Sequence, residues 1–275
     1  MLFTVPPHLQ AERHHSITGD VRRIEGFHSR VLGNDRRVWV YLPPDYEKSR
    51  ERYPVLYMAD GQNLFDGMTS FLPNQEWRCD ETAESLIRAK LIPPIIIVGV
   101  DNAGAERADE YLPTRAKLPK SDQEIGGRAA DYARMLLTEL KPQIDTTYRT
   151  KPGRESTAVG GSSLGGLLSL YLGLTHSDAI SKVLAVSPSL WWDNRLMLRQ
   201  IEALPGKLPL QIWLDSGTEE SDNEVADVQA AEESLKAKGW REGKDVTFFV
   251  DYGANHNEEA WARRFPAMLL YLYRK

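Results

Sequence analysis

The sequence predicts an α/β protein: a central, mostly parallel twisted sheet with helices on both faces. Three observations predict it. Short β-branched apolar runs alternate with segments of helical spacing through most of the 275 residues. Several of those runs are apolar throughout, the pattern of strands covered on both faces. One of them leads directly into the turn Gly160-Gly161-Ser162-Ser163-Leu164-Gly165-Gly166 and then into an apolar helix.

The expected strands cover residues 38–42, 55–58, 95–100, 157–159, 183–186, 210–214 and 246–250, each bounded by turn residues. Helical spacing covers 76–89, 125–144, 164–174, 194–203, 223–238 and 258–273. Strands and helices that alternate in this way imply βαβ crossovers, with region 21–31 adding an antiparallel start before the strand at 38. No repeat or low-complexity linker divides the chain, and its length suits one sizeable core, so residues 1–275 are read as a single domain. The charged stretch 103–124, with Pro113 and Pro119, is the expected irregular loop and is placed at the border of the substrate site. Only about 20 residues separate the strands at 183 and 210, a short loop plus a helix, which leaves no room for a large lid.

Composition excludes more than it assigns. A net charge of -5 lacks the basic excess that nucleic acid or an anionic bilayer recruits. The basic pairs Arg36-Arg37 and Arg263-Arg264 are short and read as solvated faces. The single cysteine, Cys79, rules out an intramolecular disulfide and a cysteine-rich metal site, and no histidine pair has metal-binding spacing, so neither metal nor cofactor is expected. No apolar run reaches the roughly 18 residues that span a bilayer. Residues 1–7 have neither the basic start nor the apolar run of a secretory signal, so the expected compartment is the cytoplasm. Composition sets no oligomeric state.

Chemistry concentrates in the glycine-rich turn, which contains Gly161-x-Ser163-x-Gly165. A sharp strand-to-helix turn holds its central serine in strained backbone and needs neighbours without a Cβ, hence the glycines. The same turn sets the Leu164 amide at a helix N-terminus, where unpaired N–H groups stabilise an oxyanion. Ser162 fails the pattern, because Leu164 stands where its second glycine would have to be. A serine hydroxyl needs a base, and of the six histidines His256 alone follows the last strand and precedes the last helix. His8, His14, His15 and His28 precede the sheet proper, and His176 follows the helix after the turn. The order serine, acid, histidine is the one an α/β-hydrolase requires. The acid is therefore sought after the strand at 210–214, in Asp215-Ser216-Gly217-Thr218-Glu219-Glu220-Ser221-Asp222. Asp215 is still within the strand; Glu220 is the first choice, with Asp222 as the alternative. A second oxyanion donor is expected in Asp60-Gly61-Gln62-Asn63, from the amide of Gln62 or of Gly61.

Nearly the whole chain resembles the esterase D-like branch of the α/β-hydrolases, which includes siderophore trilactone esterases, feruloyl and acetyl xylan esterases and S-formylglutathione hydrolase. The segments that carry the resemblance are residues 57–65, Arg107-Ala108-Asp109-Glu110-Tyr111, the Ser163 turn, Ser187-Pro188-Ser189-Leu190-Trp191-Trp192, Gly217-Thr218-Glu219-Glu220 and His256-Asn257-Glu258. In that branch the acid commonly falls three residues after the glycine, which lands on Glu220; many relatives have aspartate, which keeps Asp222 in play. The Asp-Gly-Gln-Asn segment looks most like the trilactone-esterase side. The resemblance implies hydrolysis of a small-molecule ester through an acyl-enzyme, without cofactor. Trp191 and Trp192 could form an aromatic wall for the substrate or pack the following helix, and Arg107 could bind an anionic group or pair with Glu110. The alternatives are an acyltransferase that uses the same residues and an inactive ligand-binding module.

Overall fold

The apolar runs at the middle of the sequence form the middle of the sheet. A computed structural model describes residues 12–118, 121–221 and 223–274. Its strands are β1 (Asp20–Ser29), β2 (Asn34–Leu42), β3 (Val55–Ala59), β4 (Ile96–Val100), β5 (Arg115–Lys117), β6 (Glu124–Gly126), β7 (Thr157–Ser162), β8 (Lys182–Val186), β9 (Gln211–Gly217) and β10 (Val246–Asp251). Eight of them make one sheet in the order β1-β2-β4-β3-β7-β8-β9-β10. β2 is antiparallel to both neighbours, and from β4 to β10 every pairing is parallel.

The helices are α1 (Cys79–Arg88), α2 (Arg107–Tyr111), α3 (Ala129–Met135), α4 (Lys141–Thr147), α5 (Leu164–Thr175), α6 (Trp192–Ala203), α7 (Glu224–Ala237) and α8 (Glu258–Tyr273). Alternate strand residues face opposite sides. Val55 and Tyr57 pack with residues of α2 to α7, whereas Leu56 and Met58 pack with residues of α1 and α8. The sheet is thus covered twice, which is why β3, β4 and β7 are buried throughout. No helix among the described residues is long and apolar enough to cross a membrane.

Four expectations need correction. The helix expected over 76–89 begins only at Cys79, because Arg78 adopts left-handed backbone (φ 53°) and its amide is taken by the Glu76 carboxylate. The helix expected over 125–144 begins at Ala129; residues 124–126 instead pair with 115–117 as a small hairpin. A π-helical turn at Leu136–Leu140 then joins α3 to α4. Stretch 103–124 is accordingly not irregular throughout: it holds α2 and β5. Finally, each basic pair read as solvated hides one buried member. Arg36 forms an ion pair with Glu110 at 3.0 Å, and Arg264 lies within α8 against the sheet.

Candidate active site

Parallel strands that run the same way deliver their following loops to one edge of the sheet, and β7, β9 and β10 bring Ser163, Glu220 and His256 there. Ser163 sits between β7 and α5 with φ 58° and ψ -122°, strained for a residue with a side chain. The surrounding glycines are required by contact. A Cβ on Gly161 would lie 2.9 Å from the Gly165 backbone, and one on Gly166 would lie 2.6 Å from the Val186 carbonyl oxygen. The turn is anchored by the Ser163 amide donating to Val186 O (3.0 Å) and the Ser189 amide donating to Ser163 O (3.1 Å).

Glu220 is the hub of a buried network. Its Oε2 lies 3.1 Å from His256 Nδ1, and its Oε1 accepts from Ser187 Oγ (2.7 Å), the Gly217 amide (2.7 Å) and, more loosely, Arg264 Nη2 (3.4 Å). Burial alone would raise this carboxyl's pKa, but the bonds from His256, Ser187 and Gly217 outweigh it and hold the group below the usual glutamate range. Ser187 Oγ in turn accepts from Trp261 Nε1 and Arg264 Nη2, both at 3.0 Å. Asp215, behind them, takes the Ser187 amide (3.0 Å) and Trp213 Nε1 (2.7 Å), and burial pushes it up to about 6 despite Arg264 at 3.6 Å. Asp222, the alternative acid, lies outside the described residues.

His256 is partly exposed, with its ring edge-on to Trp261 at 5.0 Å between centroids. It faces the same cleft as Ser163. The two are not hydrogen-bonded to each other; the Ser163 hydroxyl has Ser189 Oγ at 3.4 Å. A nucleophile and base that are not yet hydrogen-bonded are common in an unliganded site.

The cleft has two lobes that meet at Arg107, Ser163 and His256. One, of about 560 Å³, is the more polar and includes Gln62, Asn102 and Glu258 with the exposed ring of Phe71. The other, of about 530 Å³, is more apolar, with Leu118, Ile125 and Trp191. The Leu164 amide opens α5 and the Gln62 amide lies in the short 3-10 turn Gly61–Asn63, both positions where N–H groups lack partners within their helix. Gly61 is needed for packing: a Cβ there would stand 2.6 Å from the Gly99 carbonyl carbon.

The substrate-side expectations divide. Trp191 and Trp192 both line the more apolar lobe; Trp191 is half-exposed, whereas Trp192 is buried and donates Nε1 to Thr114 Oγ1 at 3.1 Å. Left-handed backbone at Asp193, Asn194 and Arg195, directly after this pair, breaks the start of α6. Arg107 borders both lobes, but its Nε and Nη2 grip Asp60 at 2.7 and 2.8 Å; Glu110 is not its partner.

Sequence reasoning missed Ser187, Trp261, Arg264 and Glu258. The signal for two of them was available: Arg264 stands three residues after Trp261 and so shares its helix face. Away from the cleft, the carboxylates of Glu76, Asp80 and Glu81 converge within 4.8 Å, a spacing at which a cation could be held. Burial lifts Glu76 to about 7 and Asp80 to about 8, so protons can relieve their repulsion equally well.

The esterase family model, described as "Putative esterase", matches residues 29–272. This chain belongs to that family. It is an ester hydrolase with the α/β-hydrolase fold. The uncharacterized protein YbbA of Bacillus subtilis is 26% identical over 92% of this chain and 98% of its own length. The ferri-bacillibactin esterase BesA of the same organism is 32% identical over 54% of this chain, which spans about half of that protein (52%). Among solved structures, the enterobactin esterase FES from Shigella flexneri superposes with a TM-score of 0.73 at 22% identity, over 98% of this chain and 62% of that one. The BES protein from Bacillus cereus superposes with a TM-score of 0.72 at 22% identity, over 96% and 99%. At such identities the superpositions speak for the fold.

Proposed function

We propose that this chain is a single-domain serine carboxylic-ester hydrolase that works through an acyl-enzyme on Ser163. The observation that carries the reading is the convergence, at one sheet edge, of a strained serine, a histidine and a buried carboxylate bonded to that histidine's Nδ1. With Nδ1–H donated to Glu220, His256 Nε2 is free to take the Ser163 proton as Oγ attacks the ester carbonyl. The tetrahedral oxyanion is held by the amides of Leu164 and Gln62, negative charge meeting a helix N-terminus. His256 returns the proton to the departing alkoxide, and water, activated by the same ring, releases the acid.

The two-lobed cleft supports an ester with bulk on both sides of the carbonyl, polar on one side and aromatic or aliphatic on the other. Siderophore trilactones, in keeping with the names of the relatives BesA and FES, are the first class to try, with feruloyl esters and acetylated sugars beside them. Trp191 would supply a wall, and Arg107 the nitrogen, Nη1, that Asp60 leaves free. The test is a panel of such esters, with p-nitrophenyl esters, offered to wild type and Ser163→Ala. Turnover that falls by several powers of ten in the variant supports the nucleophile; equal turnover by both proteins overturns it.

A further inference from the structure

The charges around the cleft do not balance. Among the described residues that line its two lobes, the carboxylates are Asp60, Glu220, Glu224 and Glu258, and Arg107 is the one lysine or arginine. Arg107 is committed to Asp60 by two hydrogen bonds. Glu220 shares the buried Arg264 with Asp215. Among the described residues neither Glu224 nor Glu258 has a lysine or arginine partner: Glu224 takes Ser221 Oγ at 3.2 Å, and Glu258 takes Asn63 Nδ2 at 3.0 Å. The cleft therefore carries uncompensated negative charge within low-dielectric walls, where a like charge on a substrate is repelled and an opposite charge drawn in.

We infer that this cleft selects against negatively charged esters, and that Glu258 is the residue that sets the selection. The inference rests on the proposed Ser163 chemistry at this site. Glu258 is favoured over Glu224 by placement. It lies in the polar lobe with Gln62 and Ser163, on the first turn of α8, two residues after His256. The Oε1 of Glu224, by contrast, is sealed from solvent without a partner. Burial, with the Asp60 charge adding to it, holds the Glu258 carboxyl above its usual range, so pH 8 is the condition at which its charge is best expressed. A substrate that carries free carboxylates is disfavoured here, and a neutral or cationic ester preferred.

The experiment compares kcat/KM at pH 8 for p-nitrophenyl hexanoate, mono-p-nitrophenyl adipate and p-nitrophenyl 6-aminohexanoate, which are neutral, anionic and cationic acyl chains of matched length. Wild type is expected to prefer the cationic to the anionic ester by at least about tenfold at low salt, and Glu258→Gln, which keeps an oxygen for Asn63, to narrow that ratio by about tenfold. Raising salt from about 0.02 to 0.5 M should narrow it in wild type as well, a readout that holds even if the variant folds poorly. Equal rates on the anionic and cationic esters, or a ratio unmoved by salt, overturn the inference. A ratio narrowed by Glu224→Gln and not by Glu258→Gln overturns the assignment to Glu258. Ser163→Ala separates the two readings: activity that survives it sinks the nucleophile, whereas its loss together with a flat charge preference sinks only the selectivity.

Discussion

Replacing Glu220 by glutamine tests the buried network at its centre. The amide has nearly the same shape, and its oxygen can still accept from Ser187 Oγ and the Gly217 amide, each 2.7 Å from Oε1. Its NH₂ then faces His256 Nδ1, which must become the acceptor, so the proton moves to Nε2 and the ring can no longer act as a base toward Ser163. In a serine protease the equivalent exchange lowers kcat by about 10⁴, and a fall of that order is expected here on p-nitrophenyl acetate or butyrate. Stability should change far less. Arg264 keeps Asp215 at 3.6 Å, so the lost charge costs on the order of 1–2 kcal/mol, or a few degrees in the melting temperature. Glu220→Ala, which leaves the Gly217 amide and the Ser187 hydroxyl short of a partner, should cost about 3–5 kcal/mol. Steady-state kinetics with a thermal melt of each variant separates the two effects. A Glu220→Gln protein within tenfold of wild type, beside an Asp222→Asn protein that is inactive, would refute the argument and move the acid to Asp222.

Glu224, lifted by burial from 4.5 to about 7, binds its proton more tightly folded than unfolded, so the native state loses stability as pH rises between those values. The melting temperature of Glu224→Gln relative to wild type should therefore rise by a few degrees from pH 5 to pH 8; a difference that does not change with pH contradicts this. Gly61→Ala places a Cβ against the backbone of Gly99 and Val100, at 2.6 and 2.7 Å, which cannot yield as a side-chain tip would. It should destabilise by about 3 kcal/mol and reduce kcat even well below the melting temperature, because the shift carries the Gln62 amide with it; unchanged kinetics would separate that amide from the oxyanion.

The order of strands and helices was legible because burial on two faces leaves a strong mark: residues 55–59 and 96–100 are apolar at nearly every position and lie buried in the sheet. The Ser163 turn was legible because its glycines are demanded by backbone contacts that no side chain can satisfy. What stayed hidden was set by long-range partners. The helix face that Arg264 shares with Trp261 points to burial, but nothing within ten residues announces that its charge is met by Asp215 and Glu220. The hairpin over 115–117 and 124–126 is similarly quiet, because each strand is only three residues long, too short for the alternation of Arg-Ala-Lys and Glu-Ile-Gly to stand out. Arg107 was found by its motif, but its partner, Asp60, lies 47 positions away, where local spacing gives no guidance.

The Ser187 hydroxyl touches Glu220, Trp261 and Arg264, residues that lie 33, 74 and 77 positions further along the chain. Contacts of that separation cannot exist until β8, the loop after β9 and α8 have all docked, and their closure entropy is met late. Turnover thus doubles as a gauge of completeness. A folding intermediate that has built β3, β4, β7 and β8 would already hold the serine in its turn yet remain silent, and recovery of activity during refolding should mark the docking of the C-terminal helix rather than the collapse of the sheet.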